Sequence, residues 1–261
     1  MGAWEHTDDF KFRLTERNSK KSGNTLDFIL IRNGVIINSM RLYLGSYKPR
    51  ETGEDFSRCI RMIGDKKKAA IIMNALDYSD DLPRVNNGFN DTARFLKSFG
   101  LQPYRLNLRD YFDKPKELAE QLNDVGLIFV YGGNDFLLRK AFAQSGLDKL
   151  LPELLRQGIV YAGFSAGCCV LAPTLKGYEL VDDPGASVEK YDDEIIWDGL
   201  GLVPYSVVPH YRSDHAEADD VEKVVEYMKK NNIPYKTLRD GEAIVIDGDK
   251  TEFLELSKGG E

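Results

Sequence analysis

The stretch from Ile159 to Leu171 constrains this chain more than any other. Ile159-Val160-Tyr161-Ala162 is a short apolar run that reads as a buried strand. It leads straight into Gly163-Phe164-Ser165-Ala166-Gly167, and the apolar run Cys168 to Leu171 behind it reads as a helix. A strand, a G-x-S-x-G turn and a helix make a nucleophile elbow, whose sharp turn lifts a serine oxygen clear of the carboxyl edge of a sheet. The flanking glycines answer a spatial demand, since a Cβ at either would crowd the neighbouring strand or helix. The N–H of Ala166, at the helix start, is then available to an oxyanion. A plain Gly/Ser turn would use the same letters. The strand before it and the helix after it favour the elbow.

Around that stretch the chain alternates strands and helices from Met40 onward. Apolar runs at Arg41 to Ser46, Ala69 to Met73, Tyr104 to Leu108 and Val125 to Tyr131 read as strands. Helical spacing marks Phe56 to Ile63, Asn87 to Phe99, Lys114 to Leu122, a helix opened by Asn134-Asp135, and Leu147 to Arg156. Val125 to Tyr131 is apolar without a break, as a strand covered on both faces must be. The pattern predicts an α/β fold: a mostly parallel sheet flanked by helices on both faces, with ligands at the carboxyl ends of the strands. Tyr178 to Trp197 is acidic, broken by Pro184-Gly185, and reads as a long loop. Glu217 to Lys229 is an amphipathic helix, and Tyr235 to Leu238, Ala243 to Ile246 and Glu252 to Leu256 are closing strands. Residues 1–39 are expected to be an extension of the domain at 40–261. Within it residues 1–25 read as a polar tail, and Asn33-Gly34 as the turn of a hairpin between Leu26 to Ile31 and Val35 to Ile37.

Composition narrows the function. A net charge of −7 argues against general binding to nucleic acid or anionic membrane. No run approaches the roughly 18 apolar residues of a membrane span, and the N-terminus lacks the basic start and apolar core of a signal peptide. Three cysteines, Cys59, Cys168 and Cys169, cannot build a disulfide framework and read as core residues. A cytoplasmic location is expected. So is the absence of a metal or cofactor: there is no H-E-x-x-H, and His215-Ala216-Glu217 lacks the P-C-x-x-C that a zinc deaminase needs.

An elbow serine needs a base, and the chain holds three histidines. His6 lies in the polar tail. His215 sits in a charged loop and reads as solvated. His210 follows the strand-like Ser206-Val207-Val208-Pro209 and is the expected base. The acid that orients it is best matched by Asp240, after a short strand, with Glu242, Asp214 and Glu179 as rivals. Ser, His, Asp is not the chain order of an α/β-hydrolase; Glu179 would restore that order. Gly132-Gly133-Asn134, at the carboxyl end of its own strand, is expected to complete the site. Gly133 would join Ala166 as an oxyanion donor, and Gly132 and Asn134 would touch substrate.

Tyr131-Gly132-Gly133-Asn134-Asp135-Phe136, Ala162 to Gly167, and Leu202-Val203-Pro204 through Pro209-His210-Tyr211 together resemble the dipeptidase E (aspartyl dipeptidase) family, which is related to cyanophycinases. The resemblance runs from about Met40 to about Ile246. It implies a three-layer sandwich similar to class I glutamine amidotransferase domains, with serine in place of cysteine, Ser165 as nucleophile and His210 as base. Small peptides are the implied substrates. Aspartyl-specific members use an arginine beyond the histidine, whereas Glu217-Ala218-Asp219-Asp220 here is acidic, which points away from acidic substrates. Two other functions fit the same letters: an esterase or other acyl hydrolase, and an inactive binding domain. Oligomeric state is not legible in the sequence.

Overall fold

The computed structural model describes residues 10–17, 25–32, 35–36, 40–49 and 56–255, the first three segments as backbone only. Those three are strands β1 (Phe10–Arg17), β2 (Thr25–Arg32) and β3 (Val35–Ile36), joined antiparallel in a small sheet of their own. Phe10–Arg17, expected as polar tail, is thus a strand, registered on β2 from Phe10 opposite Arg32 to Arg17 opposite Thr25. The basic and apolar letters of FKFRLTER alternate, a period-2 pattern that its high charge obscures. Arg32 lies opposite Val35; Asn33 and Gly34 lie outside the described residues.

The rest is built on a seven-stranded sheet in the order β12-β11-β4-β8-β7-β5-β6. Its members are β4 (Arg41–Gly45), β5 (Lys68–Ile72), β6 (Gln102–Arg105), β7 (Val125–Val130), β8 (Val160–Phe164), β11 (Ala243–Asp247) and β12 (Lys250–Leu254). β4, β8, β7, β5 and β6 run parallel, and β11 and β12 add an antiparallel margin beside β4. Successive strand residues point to opposite faces, and the two cores divide accordingly. Leu42, Leu44, Ile128, Val130 and Tyr161 face one core; Tyr43, Leu127, Phe129, Val160, Ala162 and Phe164 face the other.

Helices cover both faces. α3 (Pro115–Leu122), α4 (Asp135–Ser145) and α5 (Leu147–Arg156) contribute Leu118, Leu138 and Leu151 to the first core. α1 (Ser57–Met62) and α2 (Leu82–Ser98) contribute Cys59 and Leu96 to the second. α2 begins five residues before its expected start at Asn87 because Asp81 caps it, accepting the Arg84 N–H at 3.0 Å, with Pro83 in the first turn. The expected strand to Leu108 stops at Arg105, where Asn107 caps a 3₁₀ turn over Leu108–Tyr111. No helix of the described residues is long and apolar enough to cross a membrane.

A smaller layer sits beyond the carboxyl edge. β9 (Ser206–Val208) and β10 (Tyr235–Thr237) pair parallel outside the main sheet. α7 (Ala218–Lys230) packs there through Val221, Val224, Val225 and Met228, against Phe136, Cys169 and Tyr178. Tyr235 to Thr237 therefore closes this layer rather than the main sheet. Because β9 and β10 are parallel neighbours, their carboxyl ends lie side by side. His210 follows the first and Asp240 the second.

Candidate active site

Ser165 stands between β8 and the short helix α6 (Ala166–Cys169), with φ 49° and ψ −122°. That is an unfavourable backbone region for a residue with a Cβ, costing about 1–3 kcal/mol, and the surroundings must hold it. They do. The Ser165 N–H points at the carbonyls of Gly45 and Ser46, 3.3 and 3.2 Å away, while its own carbonyl accepts the N–H groups of Cys168 and Cys169 at 2.7 and 3.1 Å. A Cβ on Gly163 would come within 2.4 Å of the Gly167 carbonyl, and one on Gly167 within 2.6 Å of the Val130 carbonyl. Only glycine permits that approach. The Tyr161 hydroxyl donates to the Gly167 carbonyl at 2.6 Å, tying the turn from below. Cys168 Sγ sits 3.0 Å from the Gly163 carbonyl. Burial, with the Asp135 charge second, pushes the thiols of Cys168 and Cys169 well up, which keeps them inert.

His210 is buried, with φ 59°. Its Nδ1 lies 2.7 Å from Asp240 Oδ1. Ser46, at the end of β4 and fully buried, joins the pair: its hydroxyl donates to Asp240 Oδ1 at 2.8 Å and accepts the His210 backbone N–H at 2.8 Å. The Asp240 N–H in turn donates to Ser213 Oγ at 2.8 Å. Burial opposes ionisation of Asp240, but the hydrogen bonds from His210 and Ser46, with the His210 and His215 charges, outweigh it and hold the carboxyl below its usual value. Two of the three rival carboxylates are engaged elsewhere. Glu242 accepts the Arg239 N–H at 2.7 Å, and Glu179 accepts the Gly177 N–H.

His215, expected to be solvated, instead stacks on His210 with ring centres 3.8 Å apart and planes 11° from parallel. The Tyr47 ring lies steeply across both, at 69° and 62° to their planes. The loop after His210 turns back through left-handed Arg212, which brings residue 215 over residue 210. Donor atoms of His210, His215 and Glu217 come within 4.8 Å of one another. An imidazole binds a metal in its own plane, however, and two planes so nearly parallel do not converge on one ion.

The second loop at the sheet edge carries Gly132 and Gly133. A Cβ on Gly132 would fall 2.8 Å from Ser165 Cβ and 3.2 Å from its Oγ, so this glycine sets the space beside the serine. Gly133 has φ 140°, and a Cβ there would strike the Ala75 carbonyl at 2.4 Å. Asn134, expected to touch substrate, has its amide taken up by the fold. Its oxygen caps α4 by accepting the Leu137 N–H at 2.8 Å, and its nitrogen donates to the Asp183 carbonyl at 2.9 Å. Ser165, His210 and Gly133 line one cavity, with Asp135, Asp182 and Glu217 among its other walls. Ala166 is buried at the first position of α6, where an N–H has no acceptor within the helix. Asp219 and Asp220, whose charge was expected to bear on substrates, are in the first turn of α7, and Asp220 pairs with Lys223 at 2.6 Å. Sequence reasoning missed Ser46, for which a serine just past a strand's carboxyl end was the sole signal.

Comparison with known proteins identifies the family. The model of peptidase family S51 matches residues 65–254. Peptidase E of Streptomyces coelicolor is 31% identical over 138 residues, which cover 50% of this chain and 52%, about half, of that protein. A Drosophila melanogaster protein named "Probable alpha-aspartyl dipeptidase" is 28% identical over 229 residues, 85% of this chain and 86% of its own. A crystal structure of a candidate peptidase E from Listeria monocytogenes EGD-e shares the fold, with a TM-score of 0.67 at 24% identity over 84% of this chain and 99% of that one. With the family model covering most of its length, the chain belongs to peptidase family S51 and is a serine-type peptidase.

Proposed function

We propose that this peptidase hydrolyses short peptides through a Ser165-His210-Asp240 triad and an acyl-enzyme. The observation that carries the reading is the 2.7 Å contact of His210 Nδ1 with Asp240 Oδ1, on a histidine that lines the same cavity as the elbow serine. An ionised Asp240 keeps the proton of the neutral ring on Nδ1, which leaves Nε2 as the base. In this mechanism Ser165 Oγ attacks the peptide carbonyl while its proton passes to His210 Nε2. The imidazolium is stabilised by Asp240 and then returns the proton to the leaving amine. Water activated by the same nitrogen releases the acyl group. The N–H groups of Gly133 and Ala166 are the proposed oxyanion donors. The names of the matched relatives, peptidase E and alpha-aspartyl dipeptidase, support dipeptides as the substrate class.

The test is Ser165→Ala beside the wild type on a dipeptide library, with labelling by a serine-reactive phosphonate. Peptide hydrolysis is expected to fall by about three orders of magnitude or more, with the fold intact and labelling lost. Retained hydrolysis in the purified variant refutes the serine mechanism, and turnover of esters alone refutes the peptide substrate.

A further inference from the structure

The cavity that Ser165 lines also has acidic walls. Asp135 opens α4 and is buried, with its Oδ1 lacking a hydrogen-bond partner. Asp182 Oδ2 accepts the Asp135 backbone N–H at 2.7 Å, which brings the two residues together. Glu217, just before α7, adds a third carboxylate to the same cavity. No lysine or arginine is among the lining residues. The Tyr178 hydroxyl, also in the wall, is spent on the Val207 carbonyl at 2.7 Å. An orphaned buried carboxyl oxygen is expensive to maintain, and structural carboxylates are ordinarily paired with a cation or with several N–H donors. Here three carboxylates from three separate elements converge; among the described residues Glu217 has only the His215 ring nearby, Nδ1 to Oε2 at 3.8 Å, and no lysine or arginine pairs with Asp135 or Asp182.

Resting on the proposed peptidase reading, we propose that Asp135 and Asp182, backed by Glu217, form a subsite for an ammonium group of the peptide substrate. Two sources share that chemistry: the free N-terminal amine and a lysyl side chain. The subsite adjoins Ser165 and Gly133, so a peptide anchored there by its ammonium presents a nearby carbonyl to the serine. Burial, followed by mutual repulsion, holds Asp135 well above the usual carboxylate range; burial and Glu217 raise Asp182 to about 7 despite the Asp135 N–H. An arriving ammonium takes the place of the protons such groups retain. A carboxylate-bearing side chain would meet repulsion at the same position. The acidity that disfavours it comes from Asp135, Asp182 and Glu217, not from Asp219 and Asp220.

Four peptides test this: Ala-Leu, N-acetyl-Ala-Leu, N-acetyl-Lys-Leu and N-acetyl-norleucyl-Leu. With wild type, acetylating Ala-Leu is expected to lower kcat/KM by roughly 10- to 100-fold if the N-terminal amine is the anchor, the range for one lost charged hydrogen bond. A lysyl anchor is recognised by the same margin between the N-acetyl-Lys and N-acetyl-norleucyl peptides. Asp182→Asn and Asp135→Asn are each expected to shrink the discriminating ratio to about 3-fold or less, chiefly through KM, and Glu217→Gln to shrink it partly. Thermal unfolding of each variant separates misfolding from lost recognition. Calorimetric binding of the same peptides to Ser165→Ala reads the subsite without catalysis. Preference for the ammonium there sustains the subsite even if wild type cleaves none of the four, an outcome that counts against the proposed hydrolysis of short peptides alone. Equal binding and equal kcat/KM within both pairs overturn the subsite.

Discussion

Replacing Ser46 by alanine removes one oxygen from the centre of the histidine–aspartate pair. The hydroxyl donates to Asp240 Oδ1 at 2.8 Å and accepts the His210 N–H at 2.8 Å. The first bond involves a charged acceptor and is worth about 1.5–3 kcal/mol; leaving a buried N–H unpaired costs about 1–3 kcal/mol more. Asp240 is partly open to water, with 26% of its side chain exposed, so solvent replaces part of the first term. The expected loss of stability is therefore about 2–4 kcal/mol, read as a change in the denaturant midpoint at constant slope. It depends on pH in a definite sense. Asp240 has its folded pKa lowered, so the contribution is present above the ordinary aspartate value and fades as pH falls through the lowered one. The gap between wild type and variant should narrow only in that acidic range. Turnover should fall about 10- to 100-fold, since Asp240 then holds the imidazolium less firmly in the proposed mechanism. A stability change below about 0.5 kcal/mol together with unchanged kcat would refute the assignment of Ser46 to this network.

Three further outcomes are expected. Asp240→Asn should lower kcat by about 10⁴, the loss known for an amide at the equivalent role in another serine protease, while Glu242→Gln, Asp214→Asn and Glu179→Gln change it little; steady-state kinetics on one dipeptide decides. His215→Ala should reduce kcat/KM about 3- to 10-fold, the scale of a lost aromatic stack, and His215→Phe should recover most of it; equal activity in all three proteins would deny the stack a positioning role. Asp182→Asn should be more stable than wild type above pH 7 and no more stable near pH 4. The raised pKa of Asp182 makes its contribution fade as pH rises from its unfolded value through about 7, so urea titrations at the two pH values check the sign.

Much of this protein is written locally. Unbroken apolar runs such as Val125 to Val130 and the glycines of the elbow are short-range demands of a buried parallel strand and a strained turn, and they read directly from the letters. The bond between His210 and Asp240 was legible as a candidate because each residue follows a short strand. What made it a contact is the parallel pairing of β9 with β10, across 30 positions of sequence, and no local pattern dictates such pairing. Ser46 lies 164 positions from His210, just past a strand whose own letters concern only burial. Asp135 read as a helix start and Asp182 as part of an acidic loop. Their convergence depends on that loop folding back over α4, where the Asp135 N–H finds the Asp182 carboxylate. His215 carries charged neighbours and so reads as solvated, yet the left-handed turn after His210 lays it on the ring. Periodicity and turn chemistry act over a few residues and suffice for the elements and the elbow serine. The histidine, aspartate and acidic wall that share the site with that serine are set by strand pairing and loop closure, which only the tertiary structure decides.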